Sequence, residues 1–205
     1  MGYGDALHHI LQETSQKIKN DGKKYDIALE EAAKNFYLPY ASPEFRDKLL
    51  KNVKHELLEY MVKNGEYLEN VKETDMRIEF PAKNATIIGK VDVILRSDIG
   101  LEVRDYKSSD TVMKKEHSEL QVRLYAKGLR DLGWDIIKGS VANLKNNQLE
   151  NVDISQKNLK DAMERAEEII GKIRAHVYQP NPGEFCKMCE YRTICSKAAL
   201  NVDNT

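Results

Sequence analysis

Hydrophobic residues recur at helical spacing near the amino end of the chain and again in several later segments. One stripe that shares a helical face consists of Leu7, Ile10, Leu11, Thr14 and Ile18. Ser42 and Pro43 predict the start of a later helix, since serine caps helices and proline suits their first turn. The helices predicted in this way cover about residues 5–20, 28–37, 43–64, 116–132 and 156–178.

Runs rich in Val, Ile and Leu, bounded by turn residues, predict strands between these helices. The strands cover about residues 69–80, 86–96, 101–107, 139–144 and 149–154. Helices and strands thus share the chain, which predicts an α/β protein.

The second and third strands carry acidic residues inside apolar runs. If residues 97–100 form the loop between them, Arg96 faces Leu101 and Asp92 faces Asp105. Opposite Cβ atoms lie roughly 4.5–5.5 Å apart, close enough for two carboxylates to share one divalent cation. Because side chains alternate along a strand, Lys107 projects from the same face as Asp105. A solvated ion pair would also explain Asp105 and Lys107 alone, but burying both carboxylates without a cation would be costly.

These residues stand in the motifs Gly-x-Val-Asp, at 89–92, and Asp-Tyr-Lys, at 105–107. The pattern resembles the core of the PD-(D/E)xK nuclease superfamily, and more narrowly its RecB-like branch. That branch includes the nuclease domains of AddB/RecB-type and UvrD/Rep-type helicase–nucleases and the related CRISPR-associated adaptation nucleases. The resemblance implies a restriction-endonuclease-like αβββαβ core, with the helices at about 28–64 as an insertion.

The resemblance also assigns roles to residues. It implies that Asp92, Asp105 and the backbone carbonyl of Tyr106 hold Mg²⁺ or Mn²⁺, and that Lys107 positions or activates the attacking water. Glu79, on the preceding strand, is a weaker candidate: its carboxylate could hydrogen-bond to the metal ligands or bind a second metal ion. The alternative is that Glu79 is simply an exposed strand residue.

Two further motifs of the branch are present. Gly-x-x-x-His at 4–8 implies that His8 is a third metal ligand. His8 lies on the flank of the first helix's inward stripe, whereas His9 points away from that stripe. Gln-x-x-x-Tyr at 121–125 places Gln121 and Tyr125 on one face of a helix, four residues apart. The branch implies that this pair lines the catalytic cleft; a buried pair satisfied by the backbone is the alternative.

The three cysteines of the chain, Cys186, Cys189 and Cys195, lie within ten residues. Three thiols cannot all pair as disulfides, so we expect a reduced, intracellular protein whose cysteines bind a metal or cluster. The spacing resembles that of iron–sulfur RecB-like nucleases, in which a fourth cysteine precedes the Gly-x-x-x-His motif and completes a [4Fe–4S] cluster. No cysteine precedes Cys186 here, so we expect a fragment of a longer protein. A zinc site and three free thiols are the alternatives.

Composition narrows the remaining choices. With 205 residues, 41% of them hydrophobic, the chain suits one domain over 1–205, with a Cys-rich segment at 183–197. No apolar run approaches the roughly 20 residues of a membrane span. The net charge of −1 provides no global basic field, so DNA binding must rely on a local patch, on metal ions or on a partner.

Together these features predict a metal-dependent deoxyribonuclease that acts on DNA ends or single strands as an exonuclease or end-processing enzyme. We expect it to be the carboxyl-terminal nuclease domain of a DNA helicase or repair protein, with the helicase in cis or as a subunit in trans. The alternatives are a stand-alone CRISPR-adaptation-type nuclease, a catalytically silent DNA-binding scaffold of the same fold, and a zinc module fused to an unrelated α/β domain.

Overall fold

The structure is a computed structural model that describes residues 3–36, 38, 41–64, 70–108, 115–180, 182–183, 186–187 and 189–197. The chain forms two compact units, residues 1–164 and residues 165–205. The single domain over 1–205 stays a prediction. The predicted boundaries at residues 37 and 69 and parts of the Cys-rich segment lie outside the described residues.

Three helices open the first unit: α1 is Tyr3–Asp21, α2 is Tyr25–Lys34 and α3 is Pro43–Lys63. The Ser42 side chain caps α3 by accepting a hydrogen bond from the backbone N–H of Phe45 at 3.3 Å, as the Ser-Pro pair predicted. α2 starts earlier and ends earlier than predicted. Its last turn tightens, since Asn35 and Phe36 donate to carbonyls three residues back.

The described strands form one five-stranded sheet in the order β1-β2-β3-β4-β5. Their bounds are Val71–Ala82, Ala85–Ser97, Gly100–Lys107, Ile136–Asn143 and Gln148–Val152. β3 and β4 pair in parallel and the other neighbours pair antiparallel. Helix α4, Lys115–Asp131, provides the crossover between the parallel pair. The α/β prediction and its αβββαβ order are therefore confirmed.

Helix α5, Gln156–Arg174, ends four residues before the predicted position at 178. His176 has a φ of 54°, and the backbone N–H of Val177 bonds back to the carbonyl of Lys172 at 2.9 Å. This left-handed turn closes the helix, and periodicity alone does not reveal it. None of the described helices is long and apolar enough to cross a membrane.

Each face of the sheet buries its own hydrophobic cluster. The α1–α3 core joins helices α1, α2 and α3 to one face and contains Leu7, Leu29, Leu57, Tyr60, Val93 and Tyr106. The α4 core covers the other face and contains Ile78, Phe80, Val91, Val103, Val122 and Tyr125.

Strand β2 changes faces at Asp92. Val91 packs in the α4 core and Val93 in the α1–α3 core, although residues two apart on a regular strand share a face. On β1, Asp75 lies between the partners of these two residues and has a φ of 56°. The sheet is thus distorted where Asp92 leaves it, as happens beside many functional sites.

Candidate active site

The β2–β3 hairpin has the predicted register. Arg96 pairs with Leu101, and Ser97 pairs with Gly100 as well, so the loop is shorter than the four residues expected. The ladder continues to Val93 and Arg104, one step short of Asp92 and Asp105. There Asp92 Oδ2 accepts a hydrogen bond from the backbone N–H of Tyr106 at 2.7 Å. The Asp92 carboxylate thus takes the place that a backbone carbonyl of β2 would have in a regular ladder. This hydrogen bond fixes the Asp92 side chain beside β3.

Asp105 is a buried carboxylate, 1% exposed. Burial, and secondly the negative charge of Asp92, raise its pKa to about 6, whereas Lys107 and His8 act in the opposite direction. Lys107 Nζ lies 2.7 Å from Asp105 Oδ2, an ion pair without hydrogen-bond geometry. Among the described residues, Oδ2 has no hydrogen-bond partner. A second positive charge at this oxygen, in addition to Lys107, would therefore stabilise the ionised form of Asp105.

A hydrogen-bonded relay holds Lys107. Its Nζ donates to Gln121 Oε1 at 3.0 Å, and Gln121 Nε2 donates to the hydroxyl of Tyr125 at 2.8 Å. Burial raises the pKa of Tyr125, so its hydroxyl stays protonated at neutral pH. The Asp-Tyr-Lys strand and the Gln-x-x-x-Tyr helix therefore meet in one array. The backbone of Lys90 also bonds to the Tyr125 hydroxyl, so a backbone group contributes to satisfying this pair.

Two motif glycines make room for these contacts. A Cβ on Gly89 would lie 2.6 Å from Cε1 of Tyr125, so the phenol ring rests directly on the β2 backbone. A Cβ on Gly4 would lie 2.4 Å from Oγ of Ser108, just after β3. Each glycine thus permits a close approach between elements that carry site residues.

His8 faces Asp92 from α1, with Nδ1 3.7 Å from Oδ1. Its ring contacts the ring of Tyr106 edge-to-face, with centroids 6.2 Å apart. Tyr106 meets Tyr60 of α3 in the same way at 5.9 Å. The predicted insertion therefore supports the site through Tyr60, a residue that sequence reasoning missed because nothing in its spacing marks it.

A cleft of about 420 Å³ opens beside these residues. Its lining residues come from α1, β1, β2 and the end of β3 and include Asp5, His8, His9, Asp75, Lys90 and Asp92. His9 also lines it, although the helical angle predicted that it points away; it lies 3.5 Å from Glu13. Glu79 does not line the cleft. It is half exposed and pairs with Arg77 at 2.7 Å, as the alternative predicted.

The family model of the PD-(D/E)XK nuclease superfamily matches residues 2–196. The chain belongs to this superfamily. Comparison with curated proteins finds no match.

Two solved structures are similar to this PD-(D/E)XK protein. A candidate exonuclease from Eubacterium rectale is 12% identical, with a TM-score of 0.52 over 96% of this chain and 80% of that chain. The protein SSO0001 is 15% identical over 92% of this chain and 84% of that chain, with a TM-score of 0.48. The first likeness shows that the fold is the restriction-endonuclease-like one.

Nucleases of this superfamily generally use divalent cations such as Mg²⁺, and the donor chemistry of this chain suits one. Asp92, Asp105 and His8 supply hard carboxylate oxygens and one imidazole. The buried Oδ2 of Asp105 without a hydrogen-bond partner fits a ligand role. Among the described residues, however, no three His, Cys, Asp or Glu side chains are gathered tightly enough to surround an ion. The donor atoms of these residues therefore fit a divalent cation in their chemistry.

A buried ionic network lies on the other face of β3 and was not predicted. Arg104 donates to Glu102 Oε1 from Nε at 2.8 Å and from Nη2 at 2.6 Å, and to the Tyr60 hydroxyl at 3.2 Å. Ser140 bonds to both charged groups. Burial alone would raise the pKa of Glu102, but Arg104, with Ser140 and Lys138, holds it below its ordinary value. The network anchors the residue that precedes Asp105.

The cysteines belong to the second unit. Cys186 and Cys195 are half-buried, Cys189 is exposed, and none forms a disulfide. The backbone N–H of Gly183 lies 3.4 Å from Cys186 Sγ. In the described part of this segment the three thiols do not form a closed metal-binding group.

Proposed function

We propose that this PD-(D/E)XK protein is a Mg²⁺- or Mn²⁺-dependent deoxyribonuclease of the RecB-like branch that hydrolyses phosphodiester bonds. The observation that carries the proposal is the meeting of Asp92, Asp105 and Lys107 at the end of the β2–β3 hairpin. A scaffold that only binds DNA has no use for a buried, destabilised carboxylate held against a lysine.

The roles of the side chains follow from their contacts. Asp92, Asp105 and His8, with the backbone carbonyl of Tyr106, would hold the cation. A bound divalent cation polarises the scissile phosphate and lowers the pKa of a water molecule. Asp92 is already fixed by the Tyr106 N–H, so it presents its second oxygen, Oδ1, towards His8.

Lys107 would orient the attacking water and offset the charge that grows on the phosphoryl oxygens. Gln121 holds the ammonium group in place, and Tyr125 in turn holds the Gln121 amide. Because these donors are fixed before the reaction, little reorganisation is needed in the transition state. Gln121 and Tyr125 therefore act through the position of Lys107.

The test is cleavage of end-labelled single-stranded and duplex DNA with Mg²⁺ or Mn²⁺. Asp105→Ala should abolish cleavage, and Lys107→Ala should lower kcat by about 10²–10³-fold, as for loss of one preorganised electrostatic group. Lys127→Ala is the matched control, because this lysine also pairs with an aspartate, Asp131, that is not one of the proposed metal ligands. Wild-type rates in the Asp105 or Lys107 variant would refute the proposed site.

Labelled ends also separate the modes of cleavage. We propose an exonuclease or end-processing activity that works with a helicase, either in the same chain or as a separate subunit. Release of short products from one end, increased by such a helicase, supports this; activity that needs no motor favours the stand-alone CRISPR-adaptation type. Specific DNA binding without cleavage in either metal would favour the silent scaffold.

For Cys186, Cys189 and Cys195 we propose ligation of an iron–sulfur cluster, with Zn²⁺ as the alternative. Anaerobic reconstitution with iron and sulfide should then give a brown, iron-containing protein. Stoichiometric zinc without iron after anaerobic reconstitution would decide for zinc. Reduced thiols of this kind imply an intracellular protein, which stays a prediction.

A further inference from the structure

Lys90 is a basic residue in an acidic part of the catalytic cleft. It lies two residues before Asp92 and lines the cleft with Asp5, Asp75 and Asp92. Among the described residues that line this cleft, Lys90 is the only lysine or arginine. A DNA backbone that enters the cleft therefore meets more carboxylates than cations on this wall.

Lys90 is held by an ion pair with Asp75 across the β1–β2 hairpin. The lysine side chain is 64% exposed and that of Asp75 30% exposed, so solvent screens the pair and it contributes little to stability. Asp75 also has a left-handed backbone, with a φ of 56°, which aspartate adopts more readily than most residues but which is less favourable than the extended backbone of a regular strand. Stability alone therefore gives no reason for this contact, whereas a function at the cleft does.

A second cation on the same hairpin, Arg77, is also paired with a carboxylate. Arg77 stands directly opposite Lys90 in the β1–β2 ladder, and like charges in such positions destabilise a sheet. Arg77 in turn pairs with Glu79 at 2.7 Å. Ile78 and Phe80, which alternate with Arg77 and Glu79, are buried in the α4 core, so the two cations lie on the other, open face. Two cations thus lie side by side next to the cleft, each held by a carboxylate.

The geometry points to Lys90 as a binding residue for a backbone phosphate of the DNA substrate, with Asp75 as the group that holds it until a phosphate replaces the carboxylate. Arg77 would contact the phosphate farther from the cleft. This inference rests on the proposed function and adds to it the surface along which the substrate backbone lies. Lys107 acts on the reacting phosphate, and Lys90 acts on binding alone.

The two members of the pair give opposite predictions. Lys90→Gln removes one phosphate contact, so the slope of log K against log salt should become less negative by about 0.9. Asp75→Asn frees Lys90 and removes a negative charge, so it should raise the affinity. Binding is measured by fluorescence anisotropy of a labelled oligonucleotide in EDTA, where metal-dependent cleavage is prevented. In steady-state cleavage assays Lys90→Gln should raise KM and leave kcat within about twofold. The reason is that the lost contact stabilises the bound substrate and the transition state equally.

The matched controls are Lys127→Gln and Asp131→Asn, which break a lysine–aspartate pair on α4 outside the cleft and should change neither affinity nor slope. An unchanged affinity and slope for Lys90→Gln would overturn the inference while leaving the nuclease proposal standing. A loss of affinity in Asp75→Asn would overturn the holding role. Absence of DNA binding by the wild-type chain at low salt would overturn both the inference and the proposed function. Competition by inorganic phosphate at equal phosphate concentration would show a site for the free anion and contradict a backbone contact.

Discussion

Replacing Asp105 by asparagine should stabilise the metal-free protein at neutral pH. The unfolded chain ionises this carboxyl near its ordinary pKa of 3.8, whereas the native protein keeps the proton up to about pH 6. Between these values the native state binds more protons than the unfolded state, so the free energy of unfolding falls as the pH rises. At about 1.4 kcal/mol per pKa unit, the ionised carboxylate destabilises the native state at pH 7 by about 3 kcal/mol.

Asparagine resembles the protonated acid and does not ionise. We therefore expect Asp105→Asn to raise the free energy of unfolding by about 3 kcal/mol at pH 7 and by less than about 1 kcal/mol at pH 4. In a chain of this size the first value corresponds to a rise in Tm of about 6–12 °C. Cleavage should be lost at the same time, because the charge that destabilises the folded protein is the one that the catalytic site needs.

The assay is urea unfolding in EDTA between pH 4 and pH 7, followed by circular dichroism. Asp131→Asn, an exposed aspartate on α4, is the control and should change stability by no more than about 0.5 kcal/mol. Added Mn²⁺ should then stabilise the wild type and have a much smaller effect on Asp105→Asn. An asparagine variant that is less stable than the wild type at pH 7, or a gain that does not vary with pH, would refute the reasoning.

Two further substitutions test the packing around the site. Gly89→Ala should destabilise the protein by about 1–3 kcal/mol and lower cleavage, since its Cβ would meet the Tyr125 ring. Tyr125→Ala removes a buried ring and should also destabilise the protein, but the loss in the double variant should be smaller than the sum of the two single losses, and additive losses in urea unfolding would contradict this. Tyr60→Leu should shift the NMR signals of the His8 imidazole through the Tyr106 ring, whereas Tyr60→Phe should leave them near their wild-type positions; equal shifts in both variants would contradict a ring contact.

Local sequence patterns predict much of the fold because they report on single elements and on hairpins. The positions of Asn, Gly and Pro and the spacing of apolar residues predicted the ends of strands and helices to within a few residues. The predicted loop between β2 and β3 correctly placed Arg96 opposite Leu101. The contact between Lys107 and Gln121 was expected from the family resemblance of the two motifs. Residue spacing alone does not predict that the helix of Gln121 lies beside the strand of Lys107.

Contacts between distant segments were beyond such patterns. Glu102 and Arg104 alternate on a strand as exposed residues do, yet both are buried, because Tyr60 and Ser140 come from elements far along the chain. The change of face at Asp92 was also missed, since a regular alternation was assumed through the whole strand. The left-handed φ of Asp75 was missed as well, because aspartate adopts this conformation more often than most residues but only at a few positions, so the residue type alone does not reveal it.

The position of the site between two separate hydrophobic cores has a consequence for how activity is lost. His8 is carried by a helix of the α1–α3 core, whereas Gln121 and Tyr125 belong to the helix of the α4 core. Partial opening of either core would separate the metal-binding side chains from Lys107 while the rest of the protein remains folded. Such openings require less free energy than global unfolding, so amide hydrogen exchange should reveal them and cleavage should decline at urea concentrations where most of the sheet is still protected.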